Sequence, residues 1–183
     1  MMNLETVPWT LALLLTSCAT SGLDALVLDG HELHASLVTA PPAQLAESPV
    51  GLELADNPQL STDAWFVEDI ARRASQGGPL DGQGVRAALL AVYLGEEQQL
   101  GIYGLEAASP ADADRIEGIA RDIWAHNARL GLARVHRGGE VVVVVWAAAR
   151  ESPSYWDAAN AVVARRVGAS GSVQPTYSAG PRY

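Results

Sequence analysis

Four histidines, a glycine-rich loop, a serine between glycines and two clusters of acids are the residues whose chemistry can be tested first. Asp29-Gly-His31-Glu32-Leu-His34 invites a zinc reading. A zinc site of the His-Glu-x-x-His kind needs both imidazoles on one face of a helix. Here the spacing is i, i+3 and the surrounding residues alternate like a strand, which sends the two rings to opposite faces. His31 and His34 are the metal candidates, yet the spacing predicts two solvent-side residues and no metal or cofactor. His126 and His136 stand alone. Gly82-x-Gly84-x-x-Ala87 varies the dinucleotide fingerprint, but no strand precedes it and no helix follows, so a phosphate would meet no helix N-terminus. Gly168-Ala-Ser170-Gly-Ser172 lacks the second glycine of a nucleophile elbow and has no strand feeding it. Glu96-Glu97 falls at a turn tip. Asp112, Asp114 and Glu117 fall in the first turns of a helix, where the macrodipole favours carboxylates. All 12 basic residues are arginines, so neither a Schiff-base lysine nor a P-loop lysine is present.

These residues must be positioned by a modest set of elements. Ala25 to Val38 (ALVLDGHELHASLV) alternates on both sides of Asp29-Gly30, a hairpin signal. Pro41 to Pro58 reads as loop, with VGLEL (Val50 to Leu54) as a short strand. Ser61-Thr62-Asp63 caps a helix carrying Phe66, Ile70 and Ala74 at i, i+4 and i+8, and Gly77-Gly78-Pro79 stops it. DGQG, Asp81 to Gly84, is a further loop. Gly95 to Pro110 and Gly139 to Pro153 then read as two copies of one pattern: Gly-Glu at a turn, an apolar strand with an aromatic (Tyr103, Trp146), then Ser-Pro. An apolar segment precedes each turn, Ala87 to Tyr93 and Leu132 to His136. A helix follows each Ser-Pro, which supplies the cap and the first helical residue. The first helix shows Ile116, Ile119, Ile123 and Leu130 and ends at Gly131; the second shows Trp156, Ala159, Val163 and Val167 and ends at Gly168. The expected fold class is therefore α+β, a small sheet with helices on one face and a ββα-ββα internal repeat. Trp65, Trp124, Trp146 and Trp156 read as core or core-edge residues, with Trp124 partly outward; an outward Trp or Tyr would be a binding-surface candidate.

The single cysteine is Cys18. It follows the apolar run Trp9 to Leu15, too short to span a bilayer and of the length of a signal-peptide core. Leu15-Thr16-Ser17-Cys18 resembles the lipobox of bacterial lipoproteins. The resemblance covers the first eighteen residues and implies a diacylglyceryl thioether on Cys18 with cleavage before it. Buried acyl methylenes, at about 0.8 kcal/mol each, then hold the protein on a membrane. Ala19 rather than Asp at the next position implies the outer membrane. The n-region MMNLETVP departs from the pattern, carrying Glu5 and no Lys or Arg. A lipidated Cys18 leaves no thiol for a disulfide or a nucleophile.

The expected organisation is a signal peptide over 1–17, a tether over 18–24, one α+β domain over 25–168 and a flexible tail over 169–183. A segment from Val67 to Glu106 (VEDIARRAS…GVRAALLAV…YGLE) resembles the TPM domain of some envelope proteins. It implies a helix, a strand hairpin and Gly-Leu-Glu before another helix; no residue role is carried over. With 183 residues, 49% of them hydrophobic, and a mean hydropathy of +0.08, the chain can bury one real core. A net charge of −9 disfavours a nucleic-acid partner. The functional expectation is a lipoprotein anchored at the outer membrane and facing the periplasm, non-catalytic, with a membrane contact through Cys18 and an envelope protein as partner. Two rivals remain: an envelope hydrolase whose site only the fold assembles, and a cytoplasmic protein with a false lipobox. Convergence of His31, Glu32, His126 and His136 would favour the hydrolase; scatter would favour the binder.

Overall fold

The computed structural model describes residues 22–46, 54–96, 98–126, 131–149, 151–169 and 176–177. Cys18 and the lipobox lie outside the described residues, as do Val50 to Gly51 through 53, Leu130, and the serines at 170 and 172. In chain order the elements are α1 (Gly30–Leu33), β1 (Val38–Thr39), α2 (Pro42–Ala46), β2 (Gln59–Ser61), α3 (Ala64–Ala74), β3 (Val85–Leu94), β4 (Gln99–Ala107), α4 (Pro110–His126), β5 (Leu132–Gly138), β6 (Val141–Ala147) and α5 (Trp156–Arg166). The strands form one antiparallel six-stranded sheet of order β1-β3-β4-β6-β5, with β2 also paired to β3. The fold class is α+β.

The two ββα units are present as hairpins β3–β4 and β5–β6, each followed by its helix, and β4 lies beside β6 at the centre. Their aromatics meet: Tyr103 stacks on Trp146 with centroids 5.6 Å apart. Gly101, opposite Trp146 in the register, leaves the room that the indole occupies.

The helices do not share a face. One core layer packs α3 and α4, through Phe66, Ile70, Ile116 and Trp124, on Leu90, Tyr103, Val142 and Val144. The other packs Leu23, Leu26, Leu33 and α5, through Trp156 and Val163, on Leu89, Ile102, Val143 and Val145. The expectation of helices on one face is corrected. The reason lies in the strands: all seven positions of β6 are buried, and a strand buried on both sides reads as an unbroken apolar run rather than an alternation. A two-fold axis normal to the sheet would superpose the hairpins but would place both helices on the same side. The repeat is therefore one of order, not of rotation.

Three local expectations also change. Asp29-Gly30 is not a hairpin turn. Asp29 caps α1 in a capping box with Glu32: its side chain accepts the His31 N–H at 3.3 Å, and its own N–H donates to Glu32 Oε1 at 3.0 Å. Gly30 sits against the backbone of Leu37 and Val38, 2.7–2.8 Å from where a Cβ would stand, so no larger residue fits. Second, Ser152-Pro153 does not start α5, which begins at Trp156; Ser109-Pro110 does start α4, with Ser109 Oγ accepting the Asp112 N–H at 3.2 Å. Third, the Pro-rich stretch read as loop contains α2, whose Leu45 is buried. Asp63 caps α3 as expected, accepting N–H bonds from Trp65 and Phe66.

Asn57 closes a gap on the outer edge of β3. β1 and β2 pair with β3 on either side of Val92, and there the Asn57 side chain takes their place. Its Nδ2 donates to the Ala40 and Val92 carbonyls at 2.8 and 2.7 Å, and its Oδ1 accepts the Val92 N–H at 3.0 Å. On the far edge, Tyr177 exchanges backbone hydrogen bonds of 2.8 Å with Ala133 of β5. Leu23, within the segment read as tether, is fully buried.

Candidate functional site

The links at one end of the sheet build a cleft of about 430 Å³. Three chain segments supply it: His34 and Ser36 after α1, Glu96 and Gln98 in the β3–β4 turn, and Glu151 to Tyr155 in the link between β6 and α5. The extended backbone of His34, whose N–H donates to the Gly30 carbonyl, ends α1. There Nδ1 accepts both the Ser36 backbone N–H at 3.2 Å and the Ser36 hydroxyl at 2.8 Å. Tyr155 ties the other two segments together. Its ring lies 2.5 Å from where a Cβ on Gly95 would stand, and its hydroxyl donates to the Gln98 carbonyl at 3.1 Å. Burial raises the Tyr155 phenol above its ordinary value, which keeps it a neutral donor. The His34 and Tyr155 rings face each other obliquely at 6.4 Å. Gln98 Oε1 is buried without a donor among the described residues.

A serine hydroxyl on a histidine nitrogen suggests nucleophilic catalysis, and the geometry speaks against it. The Ser36 backbone N–H shares the same lone pair, so Nδ1 is held as the acceptor of a local turn. No carboxylate hydrogen-bonds His34 among the described residues, so nothing orients the ring as a triad would.

The histidines and Glu32 singled out from the sequence scatter. His31 lies on the exposed side of α1, and Glu32 pairs with Arg166 at 3.1 Å. His126 is exposed at the end of α4 beside Asp122. His136, expected on a sheet face, is 2% exposed beneath α5 and bonds Asn160 Oδ1 through Nε2 at 2.8 Å. That bond requires the proton on Nε2, and Nδ1 has no partner among the described residues. Burial pushes the His136 imidazole below its ordinary value; the Asn160 bond opposes this, and Arg134 and Arg121 add to it. The strand premise for His31 and His34 fails, since His31 is helical and His34 ends that helix. Among the described residues no group of three or more His, Cys, Asp or Glu side chains is placed to hold a metal ion.

The remaining motifs are structural. Gly82 and Gly84 form a loop with positive φ, and Gly84 lies against Asp112. Glu117 and Asp114 pair with Arg137, and Glu117 also with Arg121. Trp124, expected partly outward, is buried, its Nε1 donating to the Ala74 carbonyl at 2.9 Å. Trp65 points out at 71% exposure, the reverse of its expected place.

Sequence reasoning reached Glu96, and His34 as a metal candidate, and missed Ser36, Gln98, Glu151 and Tyr155. They sit in links, where no periodicity marks a side chain's direction. The two Ser-Pro pairs read alike in the sequence; only the structure makes residues 148–155, between β6 and α5, a far longer link than 108–109, between β4 and α4.

Fold and site together define an α+β domain with a sheet between two helical layers and a polar cleft over the strand ends. No family model, curated protein or solved structure matches this chain at a significant level.

Proposed function

We propose that this chain is a lipid-anchored envelope lipoprotein, held at the outer membrane, whose α+β body is a non-catalytic binding module with the cleft as its recognition surface. The observation that carries the reading is the position of Gly22. Its N–H donates to Glu106 Oε1 at 3.3 Å, and Glu106 is held in turn by Arg86, which also bonds Glu140. This network lies where β4 ends and β6 begins. The cleft lies where β4 begins and β6 ends. β4 is nine residues long, so the two are separated by about 30 Å at ~3.3 Å per residue. The segment from Cys18 to Gly22 reaches about 14 Å at most. A lipid on Cys18 would keep the Gly22 end near the bilayer and turn the cleft away from it. The scatter of His31, Glu32, His126 and His136 supports a binder over a hydrolase.

The hydrolase reading has one specific observation in its favour, the His34–Ser36 hydrogen bond inside the cleft. The turn geometry described above argues against it.

The test is the mass of the N-terminal peptide from a membrane fraction of the native host, beside a Cys18→Ser variant. A peptide that begins at acylated Cys18 and is lost in the variant is the expected result. An unmodified N-terminus in the soluble fraction would overturn the anchor and favour the cytoplasmic alternative.

A further inference from the structure

Three large apolar side chains are exposed among the described residues, Val27, Val38 and Trp65, and Trp65 is the largest and the most exposed of them. We infer that the Trp65 indole is a second contact with the bilayer, seated at the lipid–water interface beside the acyl anchor; the inference rests on reading Cys18 as lipidated. Its place in the fold carries the argument. β2 runs antiparallel to β3 and sets Ser61 opposite Ala88, one rung from the Ala87–Glu106 pair. The chain continues toward the start of β3, and Asp63 caps α3 there. The helix then runs back along the sheet. Gly82, just before β3, packs against the Glu68 backbone, whereas Ala74 at the far end of α3 meets Trp124 near the end of α4. Trp65, in the first turn, therefore stands where β3 starts and β4 ends, the end at which Gly22 is bonded to Glu106. The two valines lie toward the cleft end of β3: Val38 pairs with Leu94, and Val27 precedes Leu28, whose carbonyl accepts the Tyr93 hydroxyl.

The length of chain between lipid and body makes the contact reachable. Three residues separate Cys18 from Gly22, so the Gly22 end stays within about 14 Å of the lipidated cysteine. β2 is two strands from β4, a lateral offset of about 10 Å. A side chain at this end can meet the interface while one at the cleft end stands clear of it. An indole suits that place: its ring takes apolar surroundings and its N–H stays wet, which favours Trp at membrane interfaces. The arginines nearby are engaged within the protein. Arg86 bonds Glu106 and Glu140, and Arg115 bonds the Gln83 carbonyl and pairs with Asp112. The contact is thus apolar and not a basic patch on anionic lipid, and salt should not weaken it. One point of attachment lets the body turn about it. Two fix its orientation and hold the cleft away from the bilayer.

The experiment supplies the anchor chemically. Cys18, the single thiol of the full chain, is coupled to a maleimide phospholipid in phosphatidylcholine vesicles whose acyl chains carry bromine, a quencher of indoles that enter the bilayer. Wild type and Trp65→Gln are compared, so that their difference isolates Trp65 from the other tryptophans. Matching urea midpoints show that the variant is folded. The expected result is a loss of emission that is larger in the wild type than in Trp65→Gln and persists at high salt. Equal quenching of the two proteins, or none, overturns the inference. Quenching only with anionic lipid at low salt also overturns it, because charge would then make the contact. In membranes of the native host, shielding of Trp65 from acrylamide that the vesicles do not reproduce overturns it in favour of a partner protein. The coupled thiol anchors the chain in every vesicle, so these outcomes judge Trp65 alone; the N-terminal mass judges the native lipid separately.

Discussion

The units β3–β4–α4 and β5–β6–α5 follow the same order of elements and end differently. After β4, residues 108–109 lead straight into α4, and Ser109 caps it. After β6, residues 148–155 intervene, α5 begins on the opposite face, and its N-cap, Tyr155, makes no side-chain cap bond. The two docked faces differ as well. α4 buries apolar side chains and the Trp124–Ala74 bond, and its ion pairs to Arg137 of β5 stay partly exposed. α5 carries polar chemistry inward, with Asn160 on His136 and Arg134 over the Trp156 ring at 5.6 Å. A short link binds a helix to its own strand end. A longer one frees the helix to cross the sheet edge, and the spare residues become a surface. In this protein they line the cleft.

The largest test of that contrast removes the two buried indoles. Trp124→Ala and Trp156→Ala are each expected to destabilise by about 3–5 kcal/mol, read from urea midpoints. Only Trp156→Ala should also move the cleft amides around Tyr155, because the residues are adjacent; equal disturbance by both would break the comparison. Next, the sheet edges differ: Asn57 satisfies the β3 edge, whereas Tyr177 meets β5 by backbone. Asn57→Ala should leave the Val92 N–H and the Ala40 carbonyl without the amide, at about 1–3 kcal/mol per buried group left unsatisfied, while the Val92 carbonyl keeps the Ala40 N–H. A loss below that would show water taking the place of the amide.

The α5 face carries a buried histidine, and acid should reveal it. Burial holds His136 below its ordinary value, so the folded chain binds fewer protons than the unfolded one. The unfolded histidine titrates at about 6.5, so stability should fall as pH drops below that value and be unaffected by this group above it. Urea unfolding between about pH 5 and 7.5 should show that slope in the wild type and a shallower one in His136→Leu. An unchanged slope would mean that the imidazole is not the group responsible. The smallest effects come from the two Ser-Pro pairs. Ser109→Ala should cost about 1 kcal/mol by loss of the cap. Ser152→Ala should stay within about 0.5 kcal/mol, since Ser152 caps nothing. Equal losses would restore the equivalence that the sequence suggests.

Much of the fold was legible in the residues. Gly139-Glu140 marks the β5–β6 hairpin, the runs Ala87 to Tyr93 and Val141 to Trp146 lie in β3 and β6, and Asp63 and Ser109 cap the helices they precede. The Asp29-x-x-Glu32 spacing fits a capping box, which the hairpin reading of the alternation around Asp29-Gly30 passed over. The capping hydrogen bonds and the close approach of Gly30 to Leu37 explain why the helix prevails. Of the cleft, the sequence marked Glu96 at a turn and His34 as a metal candidate, and nothing joined them. His34 and Tyr155 lie far apart in the chain, and no pattern within either segment specifies the other.

The order of strands and helices was settled locally, because periodicity, caps and turn residues act over a few positions of the chain. Which face each helix covers was not. Valines in β6 are equally apolar in both directions, and only the docking of α4 on one side and of Leu23, Leu26 and α5 on the other distinguishes them. The cleft was decided the same way, by where three links converge after the sheet has closed. Local preferences choose elements; long-range burial, shared among distant segments, chooses their sides and brings their ends together.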